Sequence, residues 1–487
     1  MAQELLSVLL LAPLAAIALS LVSRSARIAE YATVAAGVID LLVSIPLLLS
    51  ARSGLIIWAN QYVLVDVFGG WVIVCISIVY ALSSMYAVGY MRLLNEDGRL
   101  PAFYALFSGF ALTMLMACVM NNAGVFWIAI ELTTLVSTFL VGFEREAEST
   151  EAAWKYIVVV SGGISLALLG TVLFYWGSSF VLGPSYAMTW AALRLSAPKV
   201  YPPLLLISFL LVLVGYGTKA GLAPMHTWLP DAHSESPAPV SAMLSGALLN
   251  ASMLGIARFL GVVTGTSVSG FAHAAVVGFG IFSFVIAILF IVRQTGVKRL
   301  MAYSSVEHIG VQALGFGFGG PLGIAGALYH MLNHSLNKSL MFFGAGNAMR
   351  AYRSKEIKNI RHVLKIFPVS GILWLLGAIG IAGAPPFALF LSEFTVLRAA
   401  MQGSYGWVAI LFVISLIVVF IGFLSHFRAM YFDEAPDAEI ARLPWTAWRT
   451  VPMWLAFLPL LVLGLWWPHG LWNLFHLVFL SVTGGSQ

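Results

Sequence analysis

Apolar residues fill this chain in blocks of about twenty, and polar positions fall almost wholly in the short links between the blocks. Such runs cover about 4–22, 31–50, 67–91, 102–120, 123–143, 156–177, 203–219, 238–260, 270–292, 300–318, 322–347, 367–397, 406–427 and 451–467. Most are long enough to cross a hydrocarbon layer of ~30 Å at ~1.5 Å per residue, so the pattern predicts an all-α polytopic membrane protein of about 14 transmembrane helices. A shorter apolar piece after Pro468, LWNLFHLVFL, is expected to lie at the interface or to cross only half the layer. The polar links reach only about 20 residues, which leaves no room for a soluble domain.

Two of the runs are interrupted. LLLISFLLVLV reads as a membrane helix until Gly215, Gly217, Gly221 and Pro224 loosen it, and Lys219 sits at that break. A second break, LLGAIGIAGAPPFALFLSEF, puts Gly380, Gly383, Pro385 and Pro386 in mid-membrane, with Glu393 just beyond. Pro224 and Pro386 are about 160 residues, or five spans, apart. An odd number of spans between equivalent elements inverts the second copy, so the spacing predicts two inverted five-helix repeats, each with a broken helix. The expected divisions are 1–100 for three leading helices, 101–265 and 266–432 for the repeats, and 433–487 for a last helix and tail.

Composition agrees with this segmentation and adds direction. With 60% hydrophobic residues, 9% charged residues and a mean hydropathy of +0.94, a soluble enzyme is excluded. Basic residues cluster in the links that follow odd-numbered runs, as at Arg24 and Arg27, Lys298 and Arg299, and Arg350 to Lys365. By the positive-inside rule those links face the cytoplasm of a cell (inner) membrane and both termini face outward. The sequence pI near 9.1 then reflects membrane-flanking loops, not a nucleic-acid surface. Glu4 stands where a signal peptide would be basic, so the first run is expected to be a retained helix. Cys75 and Cys118 are too few to hold an iron–sulfur cluster and lie within apolar runs.

Against this background the intramembrane polar residues carry the chemistry. An ammonium at the bilayer centre costs about 2.5–3.5 kcal/mol even on insertion scales, so Lys219 must pair, bind or titrate. Glu131 lies deep inside GVFWIAIELTTLVSTFLVGF, and Lys219 is the nearest cation on this map. His226, Asp231, His233 and Glu235 crowd into the link after the break. His330, His334 and Lys338 recur every four residues and so share one helix face. Three readings fit that row: a metal pair, satisfied core histidines, or a hydrated line along which protons hop. No carboxylate or cysteine in the same run completes a metal set. Between the lysines, Ser245, Asn250 and the segment KRLMAYSSVEHIG offer groups that could hold water, and of the adjacent Glu307 and His308 only one is expected to face the row.

The stretches GTKAGLAPMHTWLPDAHSESPAPVSAMLSGALLN, VKRLMAYSSVEHIG and HMLNHSLNKSLMFFGAG resemble signatures of the antiporter-like proton-translocating subunits of respiratory complex I (chains L, M and N), Mrp sodium/proton antiporters and membrane-bound [NiFe] hydrogenases. Within that superfamily they are most similar to the component F branch of hydrogenase-4 and formate hydrogenlyase, with complex I chain M as runner-up. The resemblance implies 14 helices with two broken ones. It implies an ion path through Glu131, Lys219, His334, Lys338 and Glu393, beside the His226, His233, Ser245, Asn250, Glu307 and His330 singled out above. Where many members carry a helix-8 lysine or histidine this chain has Ser245, with Asn250 a little further on, so either water would have to bridge Lys219 and His334 or the halves would be less tightly coupled than in complex I. By the same resemblance the redox chemistry belongs to soluble iron–sulfur or [NiFe] partners at the cytoplasmic side. This chain would itself bind no cofactor and no metal, beside other membrane subunits in the lipid bilayer. A subunit of an Mrp-type sodium/proton antiporter is the alternative.

Overall fold

The computed structural model describes residues 2–94, 97–433 and 443–483. The last expected division, 433–487, therefore lies partly outside the described residues. Two long helices open the chain, α1 (Ala2–Ser23) and α2 (Ala26–Arg52), followed by a small hairpin of β1 (Ile56–Trp58) and β2 (Val63–Val65), antiparallel with Ile57 opposite Leu64. Then come α3 (Val67–Met91), α4 (Leu100–Val119), α5 (Ala123–Val141), α6 (Ala147–Leu182) and the short α7 (Trp190–Ser196). The first broken span is α8 (Pro202–Ala220) with α9 (Trp228–Glu235). Next, α10 (Ala238–Met243) runs through a π-helical turn, Leu244–Leu248, into α11 (Leu249–Val263). The rest are α12 (Ser269–Ile291), α13 (Val297–Phe318), α14 (Gly320–Tyr352), α15 (Val363–Ile366), the broken pair α16 (Pro368–Ile381) and α17 (Ala388–Gln402), α18 (Gly406–Phe432), α19 (Ala447–Leu465) and α20 (His469–Thr483).

Eleven helices or broken helices among the described residues are long and apolar enough to cross a bilayer. The remaining expected spans are α13, α14 and the α16–α17 pair. The first two hold the lysines, histidines and asparagines of the polar row, and the third is split into short halves, so none meets a plain apolar test. Together they complete the expected count of about 14. The final apolar piece forms the 15-residue α20, about 22 Å long and so short of a full crossing. Its Phe475 ring meets Trp71 edge-on at 4.9 Å, which seats it against α3.

Burial shows where the axis lies. The apolar window of the span Ala238–Val263 is 100% buried and that of α3 89%, whereas α1, α6, α12 and α18 bury less than half and turn the rest toward lipid. Small residues permit a close approach between α6 and α8. A Cβ on Gly163 would lie 2.5 Å from Thr218, and one on Gly215 would lie 2.4 Å from the Ala167 nitrogen. In lipid, helix contact depends on such backbone proximity because the apolar tails offer no hydrophobic gain. The packing sets the end of α8 beside α5 and α6.

Ion pairs tie the two halves at the basic ends of the helices. Arg350 of α14 bonds Glu144 at 2.7 Å, and Lys355 bonds Glu235 at 2.7 Å and Glu146 at 3.3 Å. At the opposite end Arg258 forks onto Asp66 at 2.8 and 2.9 Å, and Asp66 also caps α3 by accepting from the Gly69 N–H.

Candidate functional site

The first half of the site follows from how α8 ends. The Leu222 N–H reaches the Gly217 carbonyl at 2.9 Å and the Gly221 N–H reaches Thr218 at 3.2 Å, with Gly221 at φ +79°. This is a glycine-closed helix terminus, and it leaves Lys219 in the last turn, where the negative end of the helix dipole favours a cation. The lysine is completely buried. Its Nζ donates to Thr134 Oγ1 at 2.8 Å and to the Tyr156 hydroxyl at 2.9 Å. Glu131, half-buried at the rim of α5, accepts from Ser161 at 2.6 Å and from Thr134 at 3.3 Å. The acid and the amine are therefore joined through the Thr134 hydroxyl and not by a direct ion pair.

The second half is built on α14, a helix whose middle is wholly buried. Lys338 donates to the Met301 carbonyl at 2.9 Å and to the Ser304 hydroxyl, both on α13. Its electrostatic partner is Glu307. One turn back, His334 has no hydrogen-bond partner on either ring nitrogen among the described residues, and its ring centroid lies 5.6 Å from that of His308. Another turn back, His330 Nε2 meets His308 Nδ1 at 3.1 Å while its Nδ1 meets Ser392 at 2.9 Å. Glu393 Oε1 lies 3.8 Å from His308 Nδ1. Of the adjacent Glu307 and His308, only one of which is expected to face the row, His308 bonds it directly at His330, while Glu307 is buried on the same helix with Oε2 lacking a hydrogen-bond partner among the described residues.

The second break shapes the end of this row. Ala384 N–H reaches the Ile379 carbonyl at 3.4 Å and Gly383 N–H reaches Gly380 at 3.2 Å, with Gly383 at φ +74°. A Cβ on Gly383 would lie 2.4 Å from Glu393 Oε2, so glycine is what leaves room for the carboxylate. Asn337 donates to the Gly377 carbonyl at 3.0 Å and Asn333 to that of Ala388 at 2.9 Å, which pins both halves of the break to α14.

Between the halves stands His233. It is fully buried, neither ring nitrogen has a hydrogen-bond partner among the described residues, and its ring lies 6.2 Å from Trp228 and 5.5 Å from Phe342. Trp228 in turn packs on Tyr156 at 4.9 Å. His226 faces Tyr303 at 6.1 Å and stands beside the row. Ser245 and Asn250 do not bridge the lysines. Ser245 bonds Ser305 at 2.7 Å, next to the serine that holds Lys338. Asn250 is used up as a clamp: it donates to Ser335 at 2.9 Å and accepts from Gln312 at 3.1 Å.

Sequence reasoning missed Thr134, Tyr156 and Ser161, ordinary hydroxyls whose role appears only when helices meet, and it named Ser304 and His308 among the groups that could hold water without choosing either. The structure also alters the question of a metal. His308, His330 and Glu393 place ligand atoms within 4.8 Å of one another, so the carboxylate absent from the α14 run arrives from α17. That trio could hold a divalent cation, although the direct His308–His330 bond already uses one nitrogen of each. The same contacts suit a relay in which neighbouring imidazoles, hydroxyls and carboxyls exchange protons.

Residues 120–419 match the family described as NADH:quinone oxidoreductase/Mrp antiporter, TM. A hydrogenase-4 component F homolog of Methylacidiphilum infernorum is 39% identical over 303 residues, 62% of this chain. The chain spans less than two thirds of that relative, 64% of its length. The NADH-quinone oxidoreductase subunit N of Xanthomonas euvesicatoria pv. vesicatoria is 32% identical over 398 residues, covering 80% of this chain and 79% of its own. Among solved structures, a chain of the membrane-bound sulfane sulfur reductase, an archaeal respiratory membrane complex, superposes with a TM-score of 0.87 over 99% of this chain and 97% of its own. At 22% identity that likeness shows the fold alone.

Proposed function

Because the chain belongs to the NADH:quinone oxidoreductase/Mrp antiporter transmembrane family, we propose that it moves protons, or sodium ions in their place, as a membrane subunit of a redox-driven complex. The complex is of the membrane-bound [NiFe] hydrogenase or related complex I-like kind, with soluble redox subunits at the basic, cytoplasmic face and both termini on the outer side. The expected division into two repeats, 101–265 and 266–432, is part of the same reading.

One observation carries it. Two lysines with no direct carboxylate contact among the described residues lie completely buried, one in each half, in a line of ionisable and hydroxyl groups from Glu131 to Glu393. A structural core does not gain from such charges, each of which costs several kcal/mol to place in hydrocarbon. The Lys219 ammonium is balanced by Glu131 only through Thr134. Neutralising or withdrawing the acid leaves the ammonium uncompensated, and its proton leaves toward Tyr156 and the centre. His233 receives charge from the first half and passes it to Lys338 and His334. From there His308 and His330 lead to Glu393.

Lys219→Ala tests the proposal. In membrane vesicles it should abolish redox-driven pumping while electron transfer by the soluble subunits survives. Unchanged pumping would reject the reading. Sodium-dependent proton flux with only membrane partners present would instead favour an Mrp-type antiporter.

A further inference from the structure

A second polar seam runs through the leading three helices, away from the row described above. On α2 the residues Glu30, Thr33, Gly37, Asp40 and Ser44 recur at intervals of three and four and so line one face, and all five are buried. Asp40 stands mid-helix, about 21 Å from Ala26 and about 18 Å from Arg52 along the axis. It is fully buried, and neither carboxyl oxygen has a hydrogen-bond partner among the described residues.

Register fixes what surrounds it. A Cβ on Gly37 would lie 3.0 Å from the Ala81 backbone, and one on Gly70 would lie 3.0 Å from Leu48, so α2 and α3 run antiparallel with Asp40 opposite Ser77 and Tyr80. Tyr80 donates to Ser108 of α4 at 2.9 Å, and Ser108 meets Thr33 at 3.2 Å. One turn beyond Thr33, at the basic end, Glu30 accepts from Arg92. Ser77 Oγ is a further buried atom of the seam with no hydrogen-bond partner among the described residues.

Among the described residues no cation is paired with Asp40. The packed elements bring Glu4 on α1, Cys75 and tyrosines on α3, and Tyr104 and Cys118 on α4. At the basic end Arg92 pairs with Glu30 and Arg99 lies over Phe143 at 4.6 Å, while Arg24 and Arg27 are exposed. An ionised carboxylate left unpaired in hydrocarbon would cost far more than a protonated one, whose hydroxyl can bond Ser77 or Tyr80.

We propose that Asp40 is a second intramembrane proton site, a neutral carboxyl that exchanges its proton by way of Tyr80, Ser108 and Thr33 with the Glu30–Arg92 end of the seam. It lies outside the ion row and does not depend on that row being active.

The test uses the full chain in lipid nanodiscs, followed by infrared spectroscopy. The wild type should show a protonated-carboxyl C=O stretch at neutral pH that Asp40→Asn removes and Asp40→Glu shifts. Should Asp40→Asn fail to assemble, the shift in Asp40→Glu decides the same point. An Asp40 carboxyl already ionised at neutral pH would overturn the proposal, as would a band that disappears on adding sodium, which would mark a cation site. Tyr80→Phe should slow hydrogen–deuterium exchange of the band by about tenfold. An unchanged exchange rate would overturn the route.

Discussion

The two broken helices close in the same way and use the break differently. Both α8 and α16 end on a left-handed glycine, Gly221 and Gly383, with the same pair of backbone bonds turning the chain. At the first break the functional charge precedes the glycine: Lys219 takes the negative end of α8 and two hydroxyl acceptors. At the second it follows: Glu393 lies in the second turn of α17, against the glycine, with neither oxygen hydrogen-bonded among the described residues. A break exposes two helix ends of opposite sign, and the sequence selects which one to occupy. The well-furnished seat suits a charge that is held, and the bare seat suits one that comes and goes.

The comparison can be broken most severely at the glycines themselves. Gly383→Ala must displace a carboxylate from a left-handed position and should cost about 2–4 kcal/mol, read as a lowered Tm. Gly221→Ala meets only the Leu229 Cδ1 at 2.4 Å, the flexible end of a side chain, and should cost about 1–2 kcal/mol. Equal losses would mean that the carboxylate is not seated on Gly383. Next in size, Thr134→Val keeps the shape of the first seat and removes the link to Glu131, so ion flux in vesicles should fall about tenfold with Tm little changed. The smallest effect is expected from Ser245→Ala, which deletes one hydrogen bond worth about 0.5–1.5 kcal/mol and should lower flux less than about threefold.

The fold was legible because a bilayer leaves few choices. Backbone groups must be satisfied within each span, so apolar length counted the helices and Gly-Pro clusters marked both breaks. Lys219, Lys338 and Glu393 stood out because charge in an apolar run has no inexpensive explanation. Thr134 could not stand out, since a threonine in a membrane helix usually bonds its own preceding turn, as the neighbouring Thr133 does to Ile130. The meeting of His308 with Glu393 joins segments 85 residues apart, which no local pattern records. Asn250 misled in the opposite sense: a polar residue in the right span is here a clamp. Asp40 was passed over because GVIDLLVSI keeps the apolar count of its run high around a single acid.

The π-helical turn at Leu244–Leu248 has a further effect. In a regular α-helix, residues five apart point about 140° away from each other. Ser245 and Asn250 are five apart, yet both reach the α13–α14 side, Ser245 to Ser305 and Asn250 to Gln312 and Ser335. The extra residue in that turn works as a phase adjuster: it rotates the outer portion of the most enclosed span until two differently spaced anchors seat together. Deleting one residue from this turn would leave the span its length but swing one anchor out of step with its partner.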